Sequence, residues 1–401
     1  MMGTGWAGLC ATADLYLRNM RRPNQVRVKH RASDERRNHE KENHLKSRPL
    51  AGLSIRTAFE NAGDALINRE LVRLAASCAD VVVDTSRAPV EFIQTLELDR
   101  IPNVRCVAGT GVMLRALIAS RAKGRQCTYM MCPGGYHGNP SLTSLIRQFP
   151  GTLVLAALRA AGVRIALIGA SYERLGSRAL FSHRLRSHIM TWHLVRDTYS
   201  FKYCELNRIL VSGVIPDLAL NAPTEARHDV HLPPVITLSF RSDQSPLQGP
   251  RVLSGVSKLA HILPAAEWRV ICQVERDYKF GDDVGRTVYE ASGQVPTKHE
   301  CTDIRKLPGL YAGSTYILSN RLHALILGIL AGAEPWALID REHAQKILGF
   351  MEDLGMGDHV LHLASLTQVD VQSGPGCNVG RSVPDIGHRR AQLHAQIRRL
   401  F

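Results

Sequence analysis

Short apolar runs alternate along this chain with stretches in which apolar positions recur every three to four residues, the repeat of strand followed by helix. Over 65–78, Leu66, Ile67, Leu71, Leu74 and Ala75 fall on one side of a predicted helix. Val81-Val82-Val83 follows as a buried strand, 103–107 as another, and 111–122 as a helix. A strand over 128–132 runs into the glycine turn Pro133-Gly134-Gly135. Helices are predicted over 142–149 and 153–161, a strand over 164–168 and a helix over 183–192. The pattern lapses in the polar, proline-bearing stretch 221–234. It resumes as strands over 235–240, 269–274, 316–318 and 336–339, followed by helices over 255–263, 284–292, 323–330 and 345–354. Such alternation predicts an α/β fold with mainly parallel sheets.

A chain of 401 residues is too long for one simple core. The lapse at 221–234 divides it into a first α/β lobe, 51–222, and a second, 230–365. Residues 1–50 form a polar, basic extension that buries little and is expected to be disordered. Residues 370–383 are rich in Gly, Ser and Pro, and 384–401 read as an Arg-rich amphipathic helix that crosses back to brace the first lobe.

Apolar content of 45% and charged content of 21% are ordinary for a soluble globular protein. No uncharged apolar run reaches 18 residues, so no transmembrane helix is expected. The N-terminus lacks the form of a secretion signal, because Asp14 interrupts its apolar part with no basic residue before it. Residues 1–50 hold 11 Lys/Arg against 5 Asp/Glu, and 381–401 hold 5 Arg against 1 Asp, so most of the net +14 lies in the ends. That balance predicts weak attachment to anionic surfaces, with a cytoplasmic protein resting at the inner face of the membrane as one outcome. No zinc finger or aromatic–basic interleaving points to specific nucleic acid. Nine scattered cysteines without C-x-x-C pairs argue against a disulfide scaffold and a metal site, and fit a reducing compartment.

The candidate chemistry gathers at predicted strand ends. Ser319-Asn320-Arg321-Leu322-His323 follows the apolar run Tyr316-Ile317-Leu318. Ligands of open α/β sheets bind where strands end. Arg321 supplies a planar grip on carboxylate or phosphate, and His323 a proton near neutral pH. Lys346 opens the helix after the strand ending at Ile339-Asp340, which points it back to the same cleft. In Asn61-Ala62-Gly63-Asp64, Asp64 is read as a helix N-cap and the helix start as an anion site. Gly134-Gly135-Tyr136-His137 lets a ligand approach the backbone at Gly135, with His137 as a donor to an oxyanion. Val195-Arg196-Asp197 ends the predicted helix 183–192, with Arg196 held by Asp197 or another neighbour and aimed into the cleft, and Pro216-Asp217 closes the lobe.

In this order, these segments resemble the polysaccharide pyruvyl transferase family. The matching pieces are Asn61-Ala62-Gly63-Asp64, Pro133-Gly134-Gly135, Ile168-Gly169-Ala170-Ser171, Val195-Arg196-Asp197 with Ser200, Pro216-Asp217, Ser319 through Ala324, and Asp340 through Lys346 into Phe350 and Leu354-Gly355. The resemblance spans roughly 53–360 and implies a fold like the two-lobed glycosyltransferases (GT-B-like), with the site between two Rossmann-like lobes. It implies phosphoenolpyruvate as donor, and as acceptor a sugar diol on a glycan or lipid-linked oligosaccharide. Arg321 and His323 match the donor-binding and catalytic motif, with Leu322 between them. Arg196 matches a donor-contacting arginine of the first lobe, and Lys346 a lysine after the last strand. Tyr136 departs from the family's three-glycine form.

A donor carrying carboxylate and phosphate needs more than one cation. Ketal formation is expected to begin with protonation of the methylene carbon by His323. Arg321 and Arg196 would hold the donor's anions, and Lys346 would neutralise the departing phosphate. The scheme calls for no metal or organic cofactor. The rival expectation on the same fold is a glycosyltransferase using a nucleotide sugar, since fold alone does not separate the two.

Overall fold

The computed structural model describes residues 48–224, 233–243, 245–340, 344–363 and 384–401. The expectations for 1–47 and for 370–383 lie outside the described residues.

In the first lobe, β1 (Leu50–Ser54), α1 (Ala62–Cys78), β2 (Asp80–Asp84), α2 (Val90–Leu96), β3 (Val104–Val107), α3 (Thr110–Ala122) and β4 (Cys127–Met131) alternate along the chain. Then come β5 (Gly134–Gly138), α4 (Leu142–Ala160), β6 (Arg164–Leu175), α5 (Ser177–Ser187), β7 (Trp192–Val195), α6 (Thr198–Leu206) and β8 (Gly213–Val214). The second lobe runs β9 (Val235–Ser239), α7 (Gln248–Ile262), β10 (Glu267–Cys272), α8 (Tyr278–Ser292), β11 (Thr297–Glu300), α9 (Leu307–Tyr311) and β12 (Tyr316–Ser319). It continues as α10 (Leu322–Leu330), β13 (Glu334–Ile339), α11 (Gln345–Asp353) and β14 (Val360–His362), and α12 (Ile386–Arg398) follows.

The strands make two parallel sheets, ordered β3-β2-β1-β4-β6-β7-β8, with β5 pairing β6 off this path, and β11-β10-β9-β12-β13-β14. Each is a Rossmann-type order with one reversal, between β1 and β4 and between β9 and β12. Strands buried on both faces explain the continuous apolar runs read as strands, such as Val81-Val82-Val83. The α/β, GT-B-like architecture of two Rossmann-like lobes expected from the sequence is therefore present.

A continuous apolar core crosses between the lobes. It joins α1, the 3₁₀ turn at Leu218–Asn221, and α10, all of whose residues but His323 are buried. Gly328 lets α10 lie directly on β12, since a Cβ there would stand 2.7 Å from Ile317 Cβ. Helix α12 does cross back to the first lobe. Leu393, Ile397 and Leu400 join the shared core. Arg390 donates to Leu220 O at 2.7 Å and to Thr224 Oγ1 at 2.8 Å, and Gln396 Nε2 donates to Val214 O at 2.9 Å.

Four local expectations are corrected. The helix predicted over 183–192 is α5, Ser177–Ser187, and Trp192 begins strand β7. Leu185, Ile189 and Trp192 happen to fall at helical spacing, but the last two lie beyond the helix. Arg196 consequently follows a strand, not a helix, and Asp197 caps the next helix by accepting from Ser200 N at 2.6 Å. The two helices 142–149 and 153–161 are one, because Pro150 removes a single N–H without stopping α4. The N-cap of α1 is Asn61, which accepts from Gly63 N at 3.0 Å; Asp64 sits inside the first turn. Finally, Gly134–Gly138 is not a loop but a strand paired with β6.

Candidate active site

The crevice beyond the carboxyl ends of strands at a sheet's reversal point is the usual ligand site of open α/β sheets. Here both reversal points open on one cleft of about 870 Å³. It is lined from the first lobe by residues after β1 and β4 and from the second by residues after β9 and β12.

On the second-lobe wall, Ser319 and Asn320 fasten the two strand ends to each other. Arg241 N donates to Asn320 Oδ1 and Asn320 Nδ2 donates to Arg241 O, both at 2.8 Å. Ser319 Oγ donates to Ser239 O and accepts from Arg321 N at 2.9 Å. Arg321 is thereby set at the cleft wall. Its guanidinium is ion-paired with Asp277, in the turn after β10. Burial pushes the Asp277 carboxyl up and the Arg321 guanidinium down, and the contact between them offsets that cost. Asp243 accepts from Arg241 at 2.8 Å and lies 3.4 Å from Arg276. Burial raises the Asp243 carboxyl, but the hydrogen bond and charge of Arg241, then Arg276, bring it below the usual range.

His323 is the second residue of α10 and reaches across to the first lobe. Its ring lies against Gly63, where a Cβ would stand 2.6 Å from Cγ of the imidazole. Burial holds His323 below its ordinary pKa. Asp217 and Asp64 favour its charged form, while Arg196 and Arg321 oppose it. Its Nε2 makes no hydrogen bond among the described residues.

On the first-lobe wall, Arg196 follows β7 and is held by Asp217, not Asp197, at 3.2 Å. Both are nearly buried, and Asp217 is fixed in turn by accepting from Ala219 N at 2.9 Å. The Pro216-Asp217 turn is therefore a support for Arg196. Further along, Arg56 donates to Thr110 Oγ1 at 3.2 Å, and Thr110 donates to Asp84 at 2.6 Å. Burial alone would raise Asp84, but hydrogen bonds from Thr110, Ser86 and Ser54 bring it down to about 2.

Lys346, at the start of α11, crosses the cleft in the other direction, with Nζ 3.5 Å from Glu173 Oε2 on β6. A Cβ on Gly135 would stand 3.0 Å from that Nζ and 3.3 Å from Ser171 Oγ, so the glycine is what admits the lysine. Burial lowers the Lys346 pKa, the Arg196 charge adds to this, and Glu173 opposes both. His137 alternates with Tyr136 along β5 and is exposed to the cleft. The Tyr136 ring stacks on Tyr172 with centroids 5.2 Å apart and also lines the cleft, so the departure from a third glycine puts an aromatic in the cleft wall.

All nine residues singled out in the sequence line this one cleft: Asn61, Asp64 and Gly135, then His137, Arg196 and Arg321, then Leu322, His323 and Lys346. Leu322 is also a member of the apolar core. Sequence reasoning missed Arg241, Arg276, Arg56 and Glu173, which line it too. Arg241 lies directly after a strand that was recognised, and the strand-end rule would have found it. Among the described lining residues, seven Lys or Arg side chains face two carboxylates, and Asp217, Asp243 and Asp277 behind them pair with four of the seven. The remaining excess of cations suits a compact anionic ligand.

The family model described as polysaccharide pyruvyl transferase matches residues 61–339, more than half of the chain. No curated protein matches it. Among solved structures, the chain is similar to the UDP-GlcNAc 2-epimerase from Neisseria meningitidis bound to UDP-GlcNAc, at 12% identity over 87% of this chain and 99% of that one, with a TM-score of 0.49. It is similar to MnaA of S. aureus with UDP, at 11% identity over 86% and 90% and a TM-score of 0.47. It is also similar to UGT2 of Phytolacca americana complexed with UDP-2fluoro-glucose and pterostilbene, at 12% identity over 88% and 94% and a TM-score of 0.46. Likenesses of this degree bring no ligand over to the chain.

Proposed function

This chain belongs to the polysaccharide pyruvyl transferase family, and we propose that its cleft transfers pyruvate from phosphoenolpyruvate to a sugar diol of an exopolysaccharide or its lipid-linked precursor. The observation that carries this reading is the convergence of Arg196, Arg321, His323 and Lys346 on one cationic cleft. Phosphoenolpyruvate brings a carboxylate and a phosphate, and the cations from the two walls match them.

In the proposed reaction His323 protonates the methylene carbon, leaving an oxocarbenium centre at C2. One acceptor hydroxyl adds to C2 and gives its proton back to the His323 imidazole. Inorganic phosphate leaves with the C2–O bond electrons, and the second hydroxyl closes the ketal as its proton passes to the phosphate. Arg196 and Arg321 hold the donor's anionic groups, and Lys346 meets the charge that develops on the departing phosphate.

Burial favours the neutral form of His323. A bound anion supplies the counter-charge that favours the imidazolium. Donor binding would therefore arm the acid, and the proton would not be held in the absence of substrate.

Thermal melting tests donor choice, because a ligand that binds the folded state raises the midpoint. Stabilisation by phosphoenolpyruvate and not by UDP-sugars is expected; stabilisation by UDP-sugars alone would assign the cleft to glycosyl transfer.

A further inference from the structure

The outer face of the first lobe displays apolar side chains in an ordered array. Along α4, Leu142, Ile146, Phe149 and Leu153 are 57, 62, 52 and 56% exposed. Their spacing of four, three and four residues puts them on one stripe of the helix. Only Thr152, Leu155 and Leu158 of α4 are buried. Helix α5 packs beside it and presents Phe181, 62% exposed. A soluble helix normally turns such a stripe inward; here the inward face is the small one.

The charge around the stripe is equally one-sided. Residues 101–196 contain 13 Lys and Arg but one carboxylate, Glu173. The near-neutral balance of the chain between its basic ends hides this, since the remainder of that span is acidic. Glu173 faces Lys346 in the cleft, so α4 and α5 carry no acid at all. Arg178 and Arg184 on α5 are exposed and flank Phe181 three residues to either side, and Arg147 and Arg159 are exposed on the flanks of α4.

We infer that the α4–α5 face docks on an anionic lipid surface. Apolar side chains with exposed arginines on the same two helices match the boundary between acyl chains and anionic headgroups. A second copy of the chain is the poorer occupant. A two-fold contact would set this face against itself, arginine against arginine, with no carboxylate on either helix to pair with them. Among the described residues no helix is long and apolar enough to cross a membrane, so the attachment is peripheral. The same helix reaches the site, because Val154 and Leu155 line the cleft. If the proposed function holds, a lipid-linked acceptor would reach the donor along this wall; the docking itself does not depend on that function.

Co-sedimentation of the full chain with vesicles tests the inference without any activity assay. Vesicles of phosphatidylcholine mixed with phosphatidylglycerol are expected to bind the protein, less so at high salt, and vesicles of phosphatidylcholine alone to bind it weakly. The double variant Ile146→Ser/Phe149→Ser should bind at least about tenfold more weakly with an unchanged melting temperature. Arg147→Glu with Arg184→Glu should remove the preference for anionic lipid. Equal vesicle binding by wild type and the double serine variant would overturn the inference and assign attachment to the basic ends. So would absence of vesicle binding. A wild-type dimer in light scattering that the serine pair splits into monomers, without vesicle binding, would make the face a self-interface instead.

Discussion

The imidazole of His323, on the second lobe, lies directly against Gly63, in the first turn of α1 on the first lobe. The two residues are 260 positions apart in the chain, and one methyl group would separate them. Gly63 is thus the seat that sets how far the proposed acid reaches across the cleft. Alanine is a better helix former than glycine, which partly offsets the crowding of its Cβ against the His323 ring, so Gly63→Ala should lower the melting temperature only modestly. It should nonetheless cut turnover by about 100-fold or more, by moving the ring from its position. The variant combined with His323→Ala should be no worse than His323→Ala alone, because both remove one function. Additive losses would show that Gly63 acts elsewhere.

Lys346 reaches across from the second lobe to Glu173. Removing a charge-assisted contact to a donor anion costs about 1.5–3 kcal/mol, or a factor of roughly 10 to 150. Lys346→Ala should therefore lower kcat/KM for phosphoenolpyruvate by that factor, with the loss in kcat. Gly135→Ala should repeat part of the effect, since its Cβ would crowd the lysine's Nζ at 3.0 Å. Unchanged kcat/KM in both variants would remove Lys346 from the donor site.

Asp217 and Arg196 are a nearly buried pair, with side chains 1% and 8% exposed. Breaking a buried pair by removing one partner costs about 3–5 kcal/mol. Asp217→Ala should lower stability by about that amount in urea unfolding and weaken donor binding through the mispositioned arginine. A variant as stable as the parent would show that Arg196 is held without Asp217.

A buried histidine, His193, and a half-buried one, His183, make stability depend on pH. Burial brings His183 and His193 down to about 4, and His193 nestles between Leu210 O at 2.6 Å and Tyr172 Oη at 2.9 Å. In the unfolded chain both take up protons near pH 6.5. The unfolded state thus binds more protons between about pH 6.5 and 4, so stability is full above that window and falls as pH drops through it. Melting midpoints should decline across the window, and His193→Gln should lower the midpoint at neutral pH while flattening the decline. A midpoint independent of pH between those values would contradict this.

Much of this architecture was legible because its strands are buried on both faces. Val81-Val82-Val83 and Tyr316-Ile317-Leu318 stand out as apolar runs, and the strand-end rule then led to Arg321 and His323. The failures are equally physical. Trp192–Val195 is a four-residue strand whose neighbours mimic helical spacing, and misreading it cost Arg196 its strand end. Gly134–Gly138 has turn composition but lies in the sheet, where pairing with β6 overrides propensity. Contacts between the lobes, such as Gly63 with His323 and Gly135 with Lys346, leave no local signal. A glycine that receives a side chain from 200 or more residues away looks like any other turn glycine.

Donor binding should also carry protons. If the donor's charge arms His323, calorimetry in buffers of different ionisation enthalpy should report proton uptake near neutral pH, and His323→Asn should reduce it. Equal uptake in the two proteins would place the titrating group elsewhere.

The central claim is tested most directly by incubating the protein with phosphoenolpyruvate and sugar-diol acceptors, free and lipid-linked, and following phosphate release together with the ketal methyl signal by NMR. One phosphate released per ketal formed, with a rate reduced by about 100-fold or more in His323→Ala, is the predicted result. Consumption of a UDP-sugar by the same acceptors, with phosphoenolpyruvate left intact, would contradict it.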